Sequence, residues 1–253
     1  MAVPANMRSL DRAIDVLSVL ETAKKPLRLS EIGRLASLHV ATTQRILGVL
    51  LDRGYAARTG DGYTAGPATL AAAHAFVVTN PLSVLSQSTL QQLAVSTGLT
   101  ASMYVRVEHS RVLIARVESD KPLNYVLPVG ERLPLYLGGA GKTILSDMTS
   151  EEVDDVLANA EQITLANGQP LQRAELDAQL DKIRSDGYAI SISERLFGIA
   201  SVTAPVRAPD HTLVGVLGVT GDAATDFTDT QITQLIPEVR RAATALGERL
   251  PAA

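Results

Sequence analysis

The densest run of side chains able to read DNA bases lies between residues 39 and 45. Glutamine can form two hydrogen bonds with adenine, arginine can form two with guanine, and the methyl group of threonine can contact that of thymine. We therefore predict base contacts from five side chains: His39, Thr42, Thr43, Gln44 and Arg45. These residues alone leave open the alternative that they form an ordinary solvated helix face.

Apolar residues at helical spacing predict three short helices that position this segment. The first covers residues 8–22 with Ser9 as its N-cap, the second begins with Ser30 as its N-cap, and the third covers residues 40–52. A strand, a turn at Asp61-Gly62 and a second strand follow. Three helices and a hairpin predict a winged helix-turn-helix, whose third helix lies in the major groove of DNA.

The charge distribution favours a polyanionic partner for this first part of the chain. Residues 1–66 hold nine basic and six acidic side chains, whereas the net charge of the whole chain is −4. We expect Arg8, Arg28 and Ser30 to contact phosphates and Arg58, near the hairpin tip, to reach a phosphate or the minor groove.

A second chemically suggestive stretch is the glycine-rich segment 135–143. It resembles a nucleotide-binding loop but fails that pattern, because the required first glycine is replaced by Tyr136. Small residues that open a helix over 141–147 would leave main-chain N–H groups free for a carboxylate, with no arginine required. The alternative is that these glycines only let the helix pack closely on a sheet.

The remaining pattern predicts an α+β protein with three segments: a DNA-binding domain over 1–66, a linker helix over 67–80 and an effector-binding domain over 81–253. The linker is apolar on all sides, which suggests burial against a second copy of the chain. In the last segment we predict strands at 101–107, 111–118, 123–127, 188–193, 199–207 and 212–220, and helices at 82–97, 141–147, 150–159, 172–186 and 228–249.

Several kinds of chemistry find no support in the sequence. The chain has no cysteine, and its four histidines form no pair at metal-ligand spacing. No G-x-S-x-G or G-x-G-x-x-G motif is present. We therefore expect no catalytic residue, metal or cofactor. We also expect no membrane partner and a cytoplasmic location, because no apolar run reaches the length of a bilayer and no secretory signal is visible.

The chain resembles the IclR family of regulators through short motifs that occur in the family's order. These motifs are Ser9-Leu10-Asp11-Arg12-Ala13, Leu29-Ser30-Glu31-Ile32, Thr43-Gln44-Arg45-Ile46-Leu47, Gly54-Tyr55, Gly62-Tyr63-Thr64-Ala65-Gly66, Val129-Gly130-Glu131-Arg132-Leu133-Pro134-Leu135, Gly139-Ala140-Gly141-Lys142, Ile183-Arg184-Ser185-Asp186-Gly187-Tyr188-Ala189 and Thr203-Ala204-Pro205-Val206. The resemblance implies a winged helix-turn-helix, a dimerising linker helix and a GAF-like effector domain. It further implies a pseudo-palindromic operator in double-stranded DNA and a homodimer or a dimer of dimers.

The resemblance also implies which residues contact a small-molecule effector. They lie at the start of the glycine-rich helix and on facing strands: Tyr125, Gly139, Ala140, Ser191, Ser193, Ser201, Gly218 and Thr220. A position that is often acidic in the family corresponds here to Ser191 or Ser193, so the effector's identity does not carry over. We expect a small aromatic or aliphatic carboxylic acid. Lys142 is expected in a surface or interface pair, and Glu194 in an exposed loop.

Two other functions remain as alternatives. The helix-turn-helix could mediate protein contacts in a small-molecule-binding module, or the second domain could be a hydrolase with a nucleophile such as Ser201. Salt-dependent binding to duplex DNA separates the regulator from both.

Overall fold

The computed structural model describes residues 7–120, 127–160 and 163–251. Its internal contacts divide the chain into two units, Met1–Val78 and Thr79–Ala253. The predicted fold class is confirmed, since an N-terminal helix-turn-helix precedes a mixed α/β domain.

The first unit is built from three helices and a hairpin. Its elements are α1 (Arg8–Thr22), α2 (Leu29–Leu35), α3 (Val40–Asp52), β1 (Ala56–Thr59) and β2 (Gly62–Ala65). Apolar side chains from all three helices form one core, in which Val16, Ile32 and Leu47 are at most 1% exposed. Burial of these large side chains is the main source of the unit's stability.

The predicted N-caps of the first two helices are wrong. Helix α1 follows Met7 and has no side-chain cap, so Ser9 lies inside it. Helix α2 follows Arg28, whose main-chain N–H donates to the Glu31 carboxylate at 2.8 Å. Ser30 therefore also lies inside its helix, and Glu31 satisfies the main-chain N–H of the residue that takes the N-cap position, Arg28.

The hairpin turn lies one residue earlier than predicted. Thr59 pairs with Gly62, which places Gly60 and Asp61 at the turn and Gly62 in the second strand. Gly62 has a φ of 151°, and a Cβ there would lie 2.4 Å from the carbonyl oxygen of Leu27. The hairpin therefore requires glycine at this position, because its second strand lies directly against the main chain of Leu27.

We expect Gly62→Ala to destabilise the first unit by about 1–3 kcal/mol through backbone strain, with the clash against Leu27 adding to this. Urea unfolding followed by tyrosine fluorescence measures the loss. Gly60→Ala is the matched control, since a Cβ at Gly60 meets nothing within 4 Å. Equal midpoints for the two variants would contradict this assignment.

Helix α4 (Ala68–Thr79) carries the predicted linker sequence. None of its residues is buried in the single chain, and Leu70 is 71% exposed. Among the described residues no single helix is long and apolar enough to cross a bilayer; α4 and the next helix reach that length only when joined across their break.

The second unit is a six-stranded antiparallel sheet covered on both faces. Its helices are α5 (Pro81–Thr97), α6 (Gly139–Leu145), α7 (Ser150–Ala158), α8 (Arg173–Asp186) and α9 (Asp229–Gly247). Its strands are β3 (Thr100–Val107), β4 (Ser110–Val117), β5 (Arg132–Pro134), β6 (Ala189–Ile192), β7 (Ile199–Arg207) and β8 (Leu213–Asp222), in the order β5-β4-β3-β8-β7-β6.

Each face of the sheet has its own hydrophobic core. Helices α5 and α9 pack on one face, against strand residues such as Met103 and Val202. Helices α6, α7 and α8 pack on the other, around Leu135, Ile144 and Leu180. Alternation along the strands sends neighbouring residues to opposite faces, so the polar strand residues described below all lie on the α6 side.

Most predicted elements are present, with three differences. The short strand β5 was missed, since three residues give too little pattern for a strand to be recognised. The glycine-rich helix begins at Gly139, two residues before the predicted start. The strand predicted over 123–127 falls largely outside the described residues.

Candidate DNA-binding surface and ligand cavity

Helix α3 buries one of the residues predicted to read bases. Thr43 is fully buried beside Leu47, and its hydroxyl donates to the carbonyl oxygen of His39 at 3.2 Å. A Cβ on Gly33 of α2 would lie 3.2 Å from the Thr43 hydroxyl, so the two helices meet at this point. Thr43 therefore packs the helix-turn-helix together and cannot face DNA.

The other four residues of this segment remain at the surface. Gln44 and Arg45 are exposed on α3, Thr42 is half-buried, and His39 is exposed at the N-cap position. Arg45 and Thr42 also line a groove against Ser9 of α1. The helix thus presents two long side chains able to form paired hydrogen bonds, Gln44 and Arg45, on the side away from its core.

The lysines and arginines of the first unit are not engaged in ion pairs. No ion pair within 4 Å involves any lysine or arginine of residues 7–66, all of which the structure describes. Arg8, Ser30 and Arg58 are all exposed. The Arg58 guanidinium carbon lies 5.9 Å from the ring centre of Tyr63 across the hairpin. These cations are available to neutralise phosphates.

The second unit has a partly open cavity of about 60 Å³ between the sheet and the start of α6. Six of the eight predicted effector residues line it: Gly139, Ala140, Ser191, Ser201, Gly218 and Thr220. Ser193 is not among the lining residues; its hydroxyl accepts a hydrogen bond from the N–H of Gly198 at 3.0 Å and holds a tight turn. Tyr125 lies outside the described residues.

Strand register aligns the polar residues of the cavity floor in two rows. Ser102 is paired with Gly218, which in turn is paired with Thr203. Two residues along, Thr220 is paired with Ser201, which is paired with Ser191. Because residues two apart on a strand share a face, both rows of hydroxyl groups point towards α6.

The glycines of this region have separate roles. A Cβ on Gly139 would lie 2.9 Å from the Thr203 hydroxyl and 3.1 Å from that of Ser201, so Gly139 leaves room above the polar floor. A Cβ on Gly141 would lie 2.2 Å from the carbonyl oxygen of Leu135. Gly141 thus serves the close packing considered as an alternative, while Gly139 lines the cavity.

Lys142 and Glu194 form a buried ion pair, which corrects the expectation of a surface lysine and an exposed glutamate. Their side chains are 3% and 17% exposed. Glu194 also accepts from the N–H of Gly138 at 3.0 Å, and Lys142 donates to Gln179 of α8 at 2.9 Å. The pair ties the β6–β7 loop to the beginning of α6.

Three arginines that the sequence analysis did not select also line the cavity: Arg111, Arg116 and Arg195. Arg111 is 3% exposed, donates to the carbonyl oxygens of Pro134 and Leu137, and lies over the ring of Tyr104. It therefore supports the segment that leads into α6. The expectation that main-chain groups alone provide the donors, with no arginine, does not describe this cavity.

We expect Lys142→Met to destabilise the protein by about 3–5 kcal/mol, because it leaves the Glu194 carboxylate buried without its cation. The double variant Lys142→Met/Glu194→Gln should lose less stability, since the neutral amide can still accept a hydrogen bond from the N–H of Gly138. Urea unfolding measures both losses. Lys182→Met is the control, because Lys182 is 74% exposed in its own ion pair with Asp186. A double variant less stable than the single one would refute this reading of the pair.

Metal binding finds no support in the part of the chain that the structure describes. No group of three or more potential ligands from histidine, aspartate or glutamate is close enough to hold an ion there.

A winged helix-turn-helix unit followed by a sheet unit with a polar cavity defines a two-domain transcriptional regulator. Family models agree: residues 9–60 match the IclR helix-turn-helix domain, and residues 74–248 match the C-terminal part of the bacterial transcriptional regulator IclR. The chain therefore belongs to the IclR family.

Individual relatives resemble the chain over nearly its whole length. The acetate operon repressor of Salmonella typhimurium is 24% identical over 250 residues, which cover 95% of this chain and 89% of that protein. A crystal structure of a putative IclR regulator from Silicibacter has a TM-score of 0.84, 23% identity and 95% coverage of both chains. A homologue from Microbacterium hydrocarbonoxydans, solved in complex with 4-hydroxybenzoate, has a TM-score of 0.76 and 17% identity, and covers 94% of this chain and 97% of its own.

Proposed function

We propose that this protein binds operator DNA through α3 and a small carboxylic acid in its cavity, and that the acid changes operator affinity. The observation that carries the proposal is the hydroxyl-lined cavity in a chain whose other unit presents cations without ion-pair partners on its helix-turn-helix. Because the proposed partner is chromosomal DNA, the protein would act in the cytoplasm.

The DNA-binding step rests on the exposed side of α3. Gln44 and Arg45 have the donors and acceptors needed to pair with adenine and guanine in the major groove. Arg8, Ser30 and Arg58 would fix the protein's register through phosphates, which carry no sequence information. Thr43 is no longer part of the proposed base-reading set, which becomes His39, Thr42, Gln44 and Arg45.

The ligand step rests on the chemistry of the cavity. Hydroxyl groups of Ser191, Ser201 and Thr220 can donate to a carboxylate, and hydrogen bonds to a charged acceptor are stronger than neutral ones. The homologue that holds 4-hydroxybenzoate provides support for an acid ligand. Gly139, Ala140 and Gly218 line the cavity beside these hydroxyl groups.

The cavity has room for a small group of waters, or for a small acid that replaces them.

A second copy of the chain would complete the DNA-binding unit. In helix α4 the side chains of Leu70 and Phe76 are 71% and 40% exposed, and none of its residues is buried. A contiguous exposed apolar surface of this kind marks an interaction site. A symmetric homodimer built on α4, alone or paired into a dimer of dimers, would present two α3 helices to a pseudo-palindromic operator. The acid would act by binding one conformation of this dimer better than the other.

The hydrolase alternative gains no support from the cavity. Ser201 lines it, but no histidine does so among the described residues, so no imidazole base is at hand to activate the hydroxyl.

Replacing Arg45 with alanine should weaken specific operator binding by about 1–3 kcal/mol, because a base contact is lost. Fluorescence anisotropy with the protein's own promoter and with random duplex measures this difference. Arg53→Ala is the control, since Arg53 is an exposed arginine at the other end of the same helix. If Arg45→Ala binds both duplexes as the parent does, α3 does not read bases through this residue.

Replacing Ala140 with leucine should abolish the response of operator binding to acids while leaving operator affinity intact, because the added side chain fills the cavity. The measurement is operator affinity across a panel of short acids. Ala158→Leu, at the exposed end of α7, is the control. An unchanged response in Ala140→Leu would place the effector elsewhere.

A further inference from the structure

Arg116 reaches the cavity because β4 contains one extra residue. Met103 is paired with Ala115 but Tyr104 with Leu113, so Ile114 has no partner on β3. This bulge reverses the alternation of β4 beyond it. As a result Arg116 lies opposite Ser102 and lines the cavity, whereas a regular strand would send it to the opposite core.

The Arg116 guanidinium is enclosed and only partly satisfied. The side chain is 10% exposed, and its Nη1 donates to the carbonyl oxygen of Leu127 at 3.3 Å. Its Nε is buried with no hydrogen bond; its one ion pair is with the Glu118 carboxylate, 3.4 Å from Nε, on a side chain that is 61% exposed and therefore largely solvated. A buried cation with unused donors is costly unless an acceptor comes to it.

The described residues that line the cavity supply no carboxylate to Arg116. The charged side chains among the described residues lining the cavity are all arginines, and no aspartate or glutamate is among them. Arg111 is already held by the carbonyl oxygens of Pro134 and Leu137. Ser102 lies beside Arg116 across the sheet, Gly218 lies beside Ser102 on the next strand, and all three line the cavity.

We propose that Arg116 is the carboxylate receptor of this cavity and the residue that makes it select anions over neutral molecules of the same shape. The inference rests on the proposed function and narrows the ligand to a short monocarboxylate. Its carboxylate would accept from Arg116, and a hydroxyl or oxo group would meet the hydroxyl row of Thr220, Ser201 and Ser191. Charge-assisted hydrogen bonds supply the selectivity.

The experiment compares acids with their uncharged amides: propionate with propionamide, and lactate with lactamide. Each is titrated against the full-length protein while the melting temperature is recorded. At a concentration about 100-fold above Kd, a domain of this size should melt roughly 5–10 °C higher. We expect the acids and not the amides to do this in the parent. In Arg116→Gln, affinity for the acids should fall by about 10- to 100-fold.

Two further variants keep the test decisive. Arg106→Gln is the matched control, because Arg106 lies on β3 outside the cavity and pairs with Glu152 at the surface, and it should respond as the parent does. Arg116→Lys keeps the charge but not the planar fork, so it should retain the preference for acids at lower affinity. Arg116→Lys also provides the test of Arg116 if Arg116→Gln does not fold.

The outcomes separate the two proposals. Equal shifts by the acids in the parent and in Arg116→Gln would overturn the role of Arg116 and leave acid binding standing. Equal shifts by acids and amides in the parent would also overturn the role of Arg116 and leave acid binding standing. If none of the acids stabilises the parent, a short-acid ligand is itself contradicted, whereas the operator-binding result with Arg45→Ala is unaffected.

Discussion

The ligand unit depends on the close approach of α6 to the sheet. A single Cβ at Gly141 would collide with the Leu135 carbonyl, and one at Gly139 would press on the hydroxyls of Thr203 and Ser201. The Lys142–Glu194 pair fixes the same end of α6 from the side of the β6–β7 loop. A buried ion pair contributes little net stability compared with apolar packing. Its consequence here is positional: the loop that borders the cavity cannot move without exposing or separating two charges.

This arrangement also gives the cavity a means of responding to a ligand. An acid can shift a conformational equilibrium only as far as it binds one state better than another. A cavity with a cationic donor and a hydroxyl floor would change its affinity for the proposed acid steeply if α6 or the loop moved, because every contact is short-ranged. The first unit has a separate core, which contains Val16, Ile32 and Leu47 and on which α3 packs.

Local patterns predicted the elements, the family resemblance supplied the cavity residues, and the errors have identifiable causes. Six of the eight residues that the resemblance implied, among them Ser201, Gly218 and Thr220, line the cavity. We predicted that Thr43 faces DNA because it is polar, although its spacing from Leu47 and Leu50 is that of the buried side of a helix. Lys142 and Glu194 are 52 residues apart, so no local pattern pairs them. The position of Arg116 depends on a bulge, and a strand with regular alternation predicts the wrong face for it.

The two kinds of polar group in the cavity therefore differ in how freely they can change. The hydroxyl rows sit on regular strands, where Ser191, Ser201 or Thr220 could be exchanged for another side chain without disturbing the register. Arg116 depends on the unpaired residue Ile114, so its place in the cavity is a property of the fold rather than of one side chain. A site that hydrogen-bonds a ligand group rejects analogues lacking that group far more strongly than an apolar wall rejects a change of size. It follows that the bulge would set the class of ligand, an anion, whereas the exchangeable rows would set which acid is preferred.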